Sequence, residues 1–111
     1  MAREQLQTLT EPMYYILLAL INPMHGYEVM QTVPVISGGR VTVGAGTLYA
    51  LLTRFEKERI IKCVGDDGRR KTFLLTDKGR GVLRREYDRL VESIAAYDEY
   101  GKGGAQSETT G

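Results

Sequence analysis

The sequence predicts a mainly helical chain that carries one small β-hairpin and ends in a long helix. Three observations predict it. Within residues 44–59, Leu48, Leu51, Leu52 and Phe55 recur at the three- and four-residue spacing that builds one apolar helix face. Residues 65–68 read Gly-Asp-Asp-Gly, turn residues between two β-like runs at 59–64 and 70–75. From residue 83 a second helical stripe runs through Leu83, Tyr87, Leu90, Val91 and Ile94. The first helix also has a wet face of Tyr49, Ala50, Thr53, Arg54 and Lys57, and the hairpin tip carries Arg69, Arg70 and Lys71. A helix dry on one side and sized for a DNA groove on the other, followed by a basic hairpin, is the pattern of a winged helix-turn-helix. The terminal stripe adds a long C-terminal dimerisation helix.

The elements follow in order. Residues 1–10 are polar and read as a flexible N-terminus, and residues 11–76 as the winged domain. Helix one begins at Thr10-Glu-Pro12, with a capping hydroxyl, an early acidic residue and a proline tolerated in the first turn. Its buried face is Met13, Ile16, Leu17, Leu20 and Ile21, and Asn22-Pro23 stops it. Met24-His-Gly26 reads as a connector. Helix two starts near Tyr27, buries Val29, Met30 and Val33, and is interrupted or ended by Pro34, which lacks an amide donor. Ser37-Gly-Gly39 is a loop, and residues 40–43 read as a short strand. Thr47, after a Gly-x-Gly turn, is expected to cap the next helix. After the hairpin, Thr76 and Asp77 start a last helix over 77–100, and residues 101–111 form a Gly/Ser/Thr tail expected to be disordered.

Composition narrows the class. The 111 residues suffice for one modest core, and 42% hydrophobic with 26% charged content is that of a folded domain. The single cysteine, Cys63, excludes an intrachain disulfide and a cysteine-based zinc site; it reads as a small buried thiol. The beginning of the chain lacks a signal-peptide pattern. The longest apolar run, residues 14–21, falls far short of the roughly 20 residues of a membrane span, so a soluble cytoplasmic protein is expected. Net charge is only +1, but its distribution is uneven: residues 1–39 carry −2, residues 40–80 carry +5, and residues 81–111 carry −2. The positive excess sits where a phosphate-binding face belongs.

Major-groove readout needs side chains that reach base edges, such as Arg to guanine and Thr to a thymine methyl. Tyr49, Thr53, Arg54 and Lys57 are the expected contacts, with Thr47 near a phosphate at the helix start. The competing reading is a plain solvated helix surface. Three successive cations at a turn repel one another unless phosphates neutralise them, so Arg69, Arg70 and Lys71 are assigned to duplex DNA as well. The stripe of Leu83, Tyr87, Leu90, Val91 and Ile94 needs a partner; a twofold homodimer would supply it and set two recognition helices about one DNA turn apart. No catalytic constellation, metal-ligand cluster, phosphate loop or cofactor motif is present, and the lone His25 reads as a packed structural residue. A competing function is a protein-interaction module whose basic hairpin docks an acidic surface. Tyr14, Tyr15 and Tyr87 are candidates for lining a small-molecule effector site, and core packing explains their spacing equally well.

With these residues laid out, the chain resembles the PadR family of transcriptional regulators. The matching pieces are Ile16-Leu-Leu-Ala-Leu20, Met24-His-Gly-Tyr-Glu28, Ser37-Gly-Gly-Arg-Val41, Gly46-Thr-Leu-Tyr49 with Arg54-Phe-Glu56, Asp67-Gly-Arg-Arg-Lys71 and Leu75-Thr-Asp-Lys-Gly79. They occur in family order over residues 13–80. The resemblance implies a dimeric winged helix-turn-helix repressor that binds an inverted-repeat operator and, in some members, is released by a phenolic or hydrophobic ligand. It assigns DNA binding to the Tyr49 helix and the wing of Arg69 to Lys71. Three positions depart from the family pattern: Pro34 within helix two, Ala50 for a common Pro, and Arg59 for a common Gly. The chain also lacks the Trp that members with a flat drug site use.

Overall fold

A computed structural model of the chain describes residues 8–103. The expectations for residues 1–7 and 104–111 lie outside the described residues. The order of elements is α1 (Glu11–Ala19), β1 (Met24–His25), α2 (Gly26–Ile36), α3 (Ala45–Lys57), β2 (Ile61–Asp66), β3 (Lys71–Leu75) and α4 (Asp77–Ala96). A π-helical turn, Tyr97–Gly101, prolongs α4. The architecture is mainly helical with a small antiparallel sheet, the expected winged arrangement. Ile16, Leu17 and Leu20 of the α1 region meet Val29 and Val33 of α2 and Leu48, Leu52 and Phe55 of α3 in one core. Ile60, Ile61, Phe73, Leu75 and the start of α4, through Val82 and Leu83, close it. Among the described residues no helix is long and apolar enough to cross a membrane.

Tertiary contacts changed several local expectations. The sheet has three strands in the order β1-β3-β2, and β1 is the Met24–His25 pair that reads as a connector. Met24 pairs with Phe73 and His25 with Thr72, using the edge of β3 that the hairpin leaves open. Residues 40–43 are not a strand. The Val41 amide donates to the buried Ser37 Oγ at 3.0 Å, so it has no ladder bond to offer. Pro34 does not end α2, which runs on to Ile36. At that position the missing amide costs only one bond to the Met30 carbonyl in the last turn, and Gly38 and Gly39, at φ 64° and 84°, then reverse the chain.

Thr47 is not a cap: α3 starts at Ala45 with Gly44 as its N-cap, and no side chain bonds to its first amides. Cys63 is exposed rather than buried, and it lies on β2, an edge strand of the sheet. A register irregularity between Cys63 and Gly65 further breaks the in–out alternation there. At the other end, Leu9 is buried and its amide donates to Glu86 Oε1, so ordered chain begins before α1. Glu86 is itself only 4% exposed. The Arg89 guanidinium, assisted by the Leu9 amide, holds its carboxyl below the usual carboxylate range against the opposing effect of burial.

Arg59 follows α3 in the left-handed region at φ 64°. Its carbonyl accepts from Thr76 Oγ1 at 2.7 Å, which fixes the backbone in place. An L side chain there costs about 1 kcal/mol relative to glycine. Arg59→Gly is therefore expected to raise stability by about 0.5–1 kcal/mol. A urea midpoint at or below that of the parent would refute this.

Candidate nucleic-acid interface

The amphipathic pattern of α3 sends Leu48, Leu52 and Phe55 into the core with Leu51 packed at its margin, so the opposite face of the helix is turned outward. Thr47, Tyr49, Ala50, Thr53, Arg54 and Lys57 are all turned away from the core. Not all of them are free to reach a base. Thr53 Oγ1 donates to the Tyr49 carbonyl at 2.9 Å, one turn back, and Arg54 Nε is paired with Glu58 Oε2 at 2.9 Å. Tyr49 is half exposed, but its phenol rests on the start of α2. A Cβ at Gly26 would lie 2.4 Å from the Tyr49 hydroxyl oxygen, so glycine at 26 is the condition for that packing.

Two aspartates build the wing. Asp66 Oδ1 accepts from the Gly68 amide at 2.9 Å, and Asp67 Oδ1 accepts from the Arg69 and Arg70 amides at 2.9 and 2.7 Å. Gly68, at φ 88°, makes the reversal. The amide of Arg70, then that of Arg69, keeps the Asp67 carboxyl below its ordinary range. Both carboxylates are thus engaged by the turn's own backbone, while the Arg69, Arg70 and Lys71 side chains are left exposed.

Between α3 and the wing lies an open cleft of about 330 Å³. Of the residues expected to touch DNA, Tyr49, Thr53, Arg69, Arg70 and Lys71 line it together; Thr47, Arg54 and Lys57 share α3 but lie outside it. His25, Gly26 and Tyr27 also line the cleft, and sequence reasoning did not assign them to the site. Their signal was present in the spacing of His25 and Glu28. His25 and Glu28 have the heavy-atom geometry of a capping box at the start of α2: Nδ1 lies 3.4 Å from the Glu28 amide, and the His25 amide donates to Glu28 Oε1 at 3.0 Å. Among the described residues no group of three or more His, Cys, Asp or Glu side chains could hold a metal ion.

The candidate dimer residues divide. Leu83 is buried in the chain's own core, whereas Tyr87, Leu90, Val91 and Ile94 are exposed along one side of α4, with Tyr97 and Tyr100 beyond them. Arg84 lies over the Tyr87 ring at 5.1 Å. The three candidate effector tyrosines divide too. Tyr14 and Tyr15 meet edge to face, centroids 5.4 Å apart, in a hollow with Glu86, Arg89 and Leu90, while Tyr87 shares a separate groove with Tyr14 and Ile21.

Residues 16–85, well over half of the chain, match the model of the Transcriptional regulator PadR-like family. The chain is 38% identical over 64 residues to a 37.1 kDa protein of transposon TN4556 from Streptomyces fradiae; the match takes in 58% of this chain but spans only 18% of that protein. Among solved structures, a transcriptional regulator from Clostridium thermocellum, Cth-833, superposes with a TM-score of 0.69 at 23% identity, covering 80% of this chain and 88% of that one. The PcaV transcriptional regulator of Streptomyces coelicolor, in complex with its natural ligand, superposes with a TM-score of 0.64 at 25% identity, covering 87% and 64%.

Proposed function

The chain belongs to the PadR-like family of transcriptional regulators, which are not enzymes, and from that premise we propose that it acts in the cytoplasm as a homodimeric repressor of an inverted-repeat operator. The cleft between α3 and the wing carries this reading. It joins a helix face sized for a groove to three exposed cations, with the wing carboxylates of Asp66 and Asp67 occupied by backbone amides and Glu56 the acidic residue of the lining. Phosphate contacts from Arg69, Arg70 and Lys71 position the protein, and α3 reads the bases. The exposed stripe on α4 pairs two copies, and occlusion of a promoter is the simplest action for so small a protein. The hollow of Tyr14 and Tyr15, with the Arg89 guanidinium at its edge, suits a small phenolic or hydrophobic effector. The solved ligand complex of PcaV supports an effector in this structural class.

Selection from a random duplex pool in about 100 mM salt tests the proposal. The intact chain is expected to enrich an inverted repeat with half-site centres roughly 34–36 Å apart. A variant with Arg69, Arg70 and Lys71 all replaced by Ala should bind more weakly. Its slope of log affinity against log salt should be shallower by about 0.9 for each phosphate it no longer neutralises. If the folded protein enriches no duplex, the basic wing serves a protein partner instead.

A further inference from the structure

His25 stands where the three elements of the cleft converge. It is the last residue of β1, it precedes Gly26, on which the Tyr49 ring rests, and its Nε2 lies 3.1 Å from Arg70 Nη1 of the wing. Its Nδ1 lies 3.4 Å from the Glu28 amide at the start of α2. A neutral imidazole has only one accepting nitrogen; the Arg70 guanidinium and the Glu28 amide are both donors, and the Glu28 carboxylate Oε1, an acceptor, stands farther from Nε2 at 3.5 Å. The guanidinium cannot be anything else, its approach is the shorter, and bonds from a cation are the stronger. Nε2 therefore takes the lone pair and accepts from Arg70. Nδ1 then carries the hydrogen, and the cap at the Glu28 amide is left incomplete. The Glu28 carboxylate still accepts from the His25 amide at 3.0 Å, so the helix start keeps half of its box.

We infer that His25 is a positioning residue for DNA binding: it holds the Arg70 guanidinium at the start of α2, beside the cleft, giving up part of the α2 cap to do so. The inference rests on the DNA-binding reading of the same cleft. Of the three wing cations, Arg70 is the one this ring orders before any phosphate arrives. An arginine already ordered loses less side-chain entropy on binding.

Two amide substitutions separate the roles. Asn places its carbonyl near Nδ1 and is a strong N-cap, whereas Gln places its carbonyl near Nε2 and caps poorly. His25→Asn is expected to melt at or above the parent temperature, yet to bind the selected operator roughly three- to ten-fold more weakly, with the salt slope little changed because the Arg70 charge remains. Arg70→Ala should lose at least as much and also lower the salt slope by about one, and the double variant should be no worse than Arg70→Ala alone. His25→Gln should melt lower but bind within about two-fold of the parent, since it keeps the coupling. A His25→Asn variant that binds like the parent, or losses that multiply in the double variant, would overturn the inference. Relaxation of the Arg70 Nε–H group by nitrogen NMR in the free protein needs no DNA at all. Restriction in the parent and in His25→Gln, relieved in His25→Asn, supports the positioning role. Equal mobility in all three overturns it, even if the parent proves to bind no duplex and the DNA reading itself falls.

Discussion

Gly79→Ala is expected to destabilise the fold by about 2–4 kcal/mol, a large share of the roughly 5–15 kcal/mol that holds a domain together. Elsewhere in a helix the same change helps, since Ala is the better helix former by up to about 1 kcal/mol. At residue 79 sterics win. A Cβ there would lie 2.1 Å from the Ile60 carbonyl oxygen and 2.7 Å from Leu75 Cδ1. The Ile60 oxygen cannot yield, because it accepts from the Thr76 amide at 3.0 Å and shares the one Thr76 hydroxyl proton with the Arg59 carbonyl, at 2.9 and 2.7 Å. The same hydroxyl caps α4 through the Gly79 amide at 2.9 Å. Moving α4 away would break this junction and pull Val82 and Leu83 from the core. Gly81 is the internal control: nothing lies within 4 Å of its would-be Cβ, so Gly81→Ala should stabilise by up to about 1 kcal/mol. Urea denaturation of the two variants decides the matter, and a Gly79→Ala midpoint equal to the parent's would refute the steric account.

Replacing Val91 and Ile94 together with Glu is expected to leave the chain folded but to abolish the proposed pairing of two copies. Both side chains are exposed in the single chain, 45% and 63%, so the monomer loses little packing. In a twofold pair each glutamate would instead sit unpaired in an apolar seam, at a cost far beyond that of the apolar burial it replaces. A monomer engages one half-site at a time. The affinity for an inverted repeat should then fall on the order of 10²- to 10⁴-fold, while weak non-specific binding persists. Sedimentation equilibrium and titration of a single- and a double-half-site duplex would measure both. A parent that sediments as a monomer would refute the pairing, as would a double-glutamate variant that stays dimeric.

Much of the molecule is legible in the sequence, for a physical reason particular to each feature. Three- and four-residue periodicity places Leu48, Leu52 and Phe55 on one face of α3 because burial of apolar area dominates helix placement, and all three are buried. The Gly-Asp-Asp-Gly segment declares its turn because a residue at φ 88° is easy only for glycine, and short carboxylates bond naturally to amides two and three residues on. Segmental charge likewise exposes the basic wing. These are local properties, and local properties are what a sequence states directly.

What lay beyond the sequence depends on partners distant along the chain. Met24 and His25 become a strand only because β3, some 50 residues later, offers a free edge. Residues 40–43 lose their strand to a single buried hydroxyl, that of Ser37. Cys63 looks like core in its own strand and is exposed, on an edge strand whose register shifts between Cys63 and Gly65. The same distinction runs through the site. The sequence names the cations of the wing and the helix proposed to face DNA. Only the tertiary structure brings His25 to Arg70 and Gly26 to Tyr49, because those pairings arise from how α2, α3 and β3 pack and leave no periodicity of their own to read.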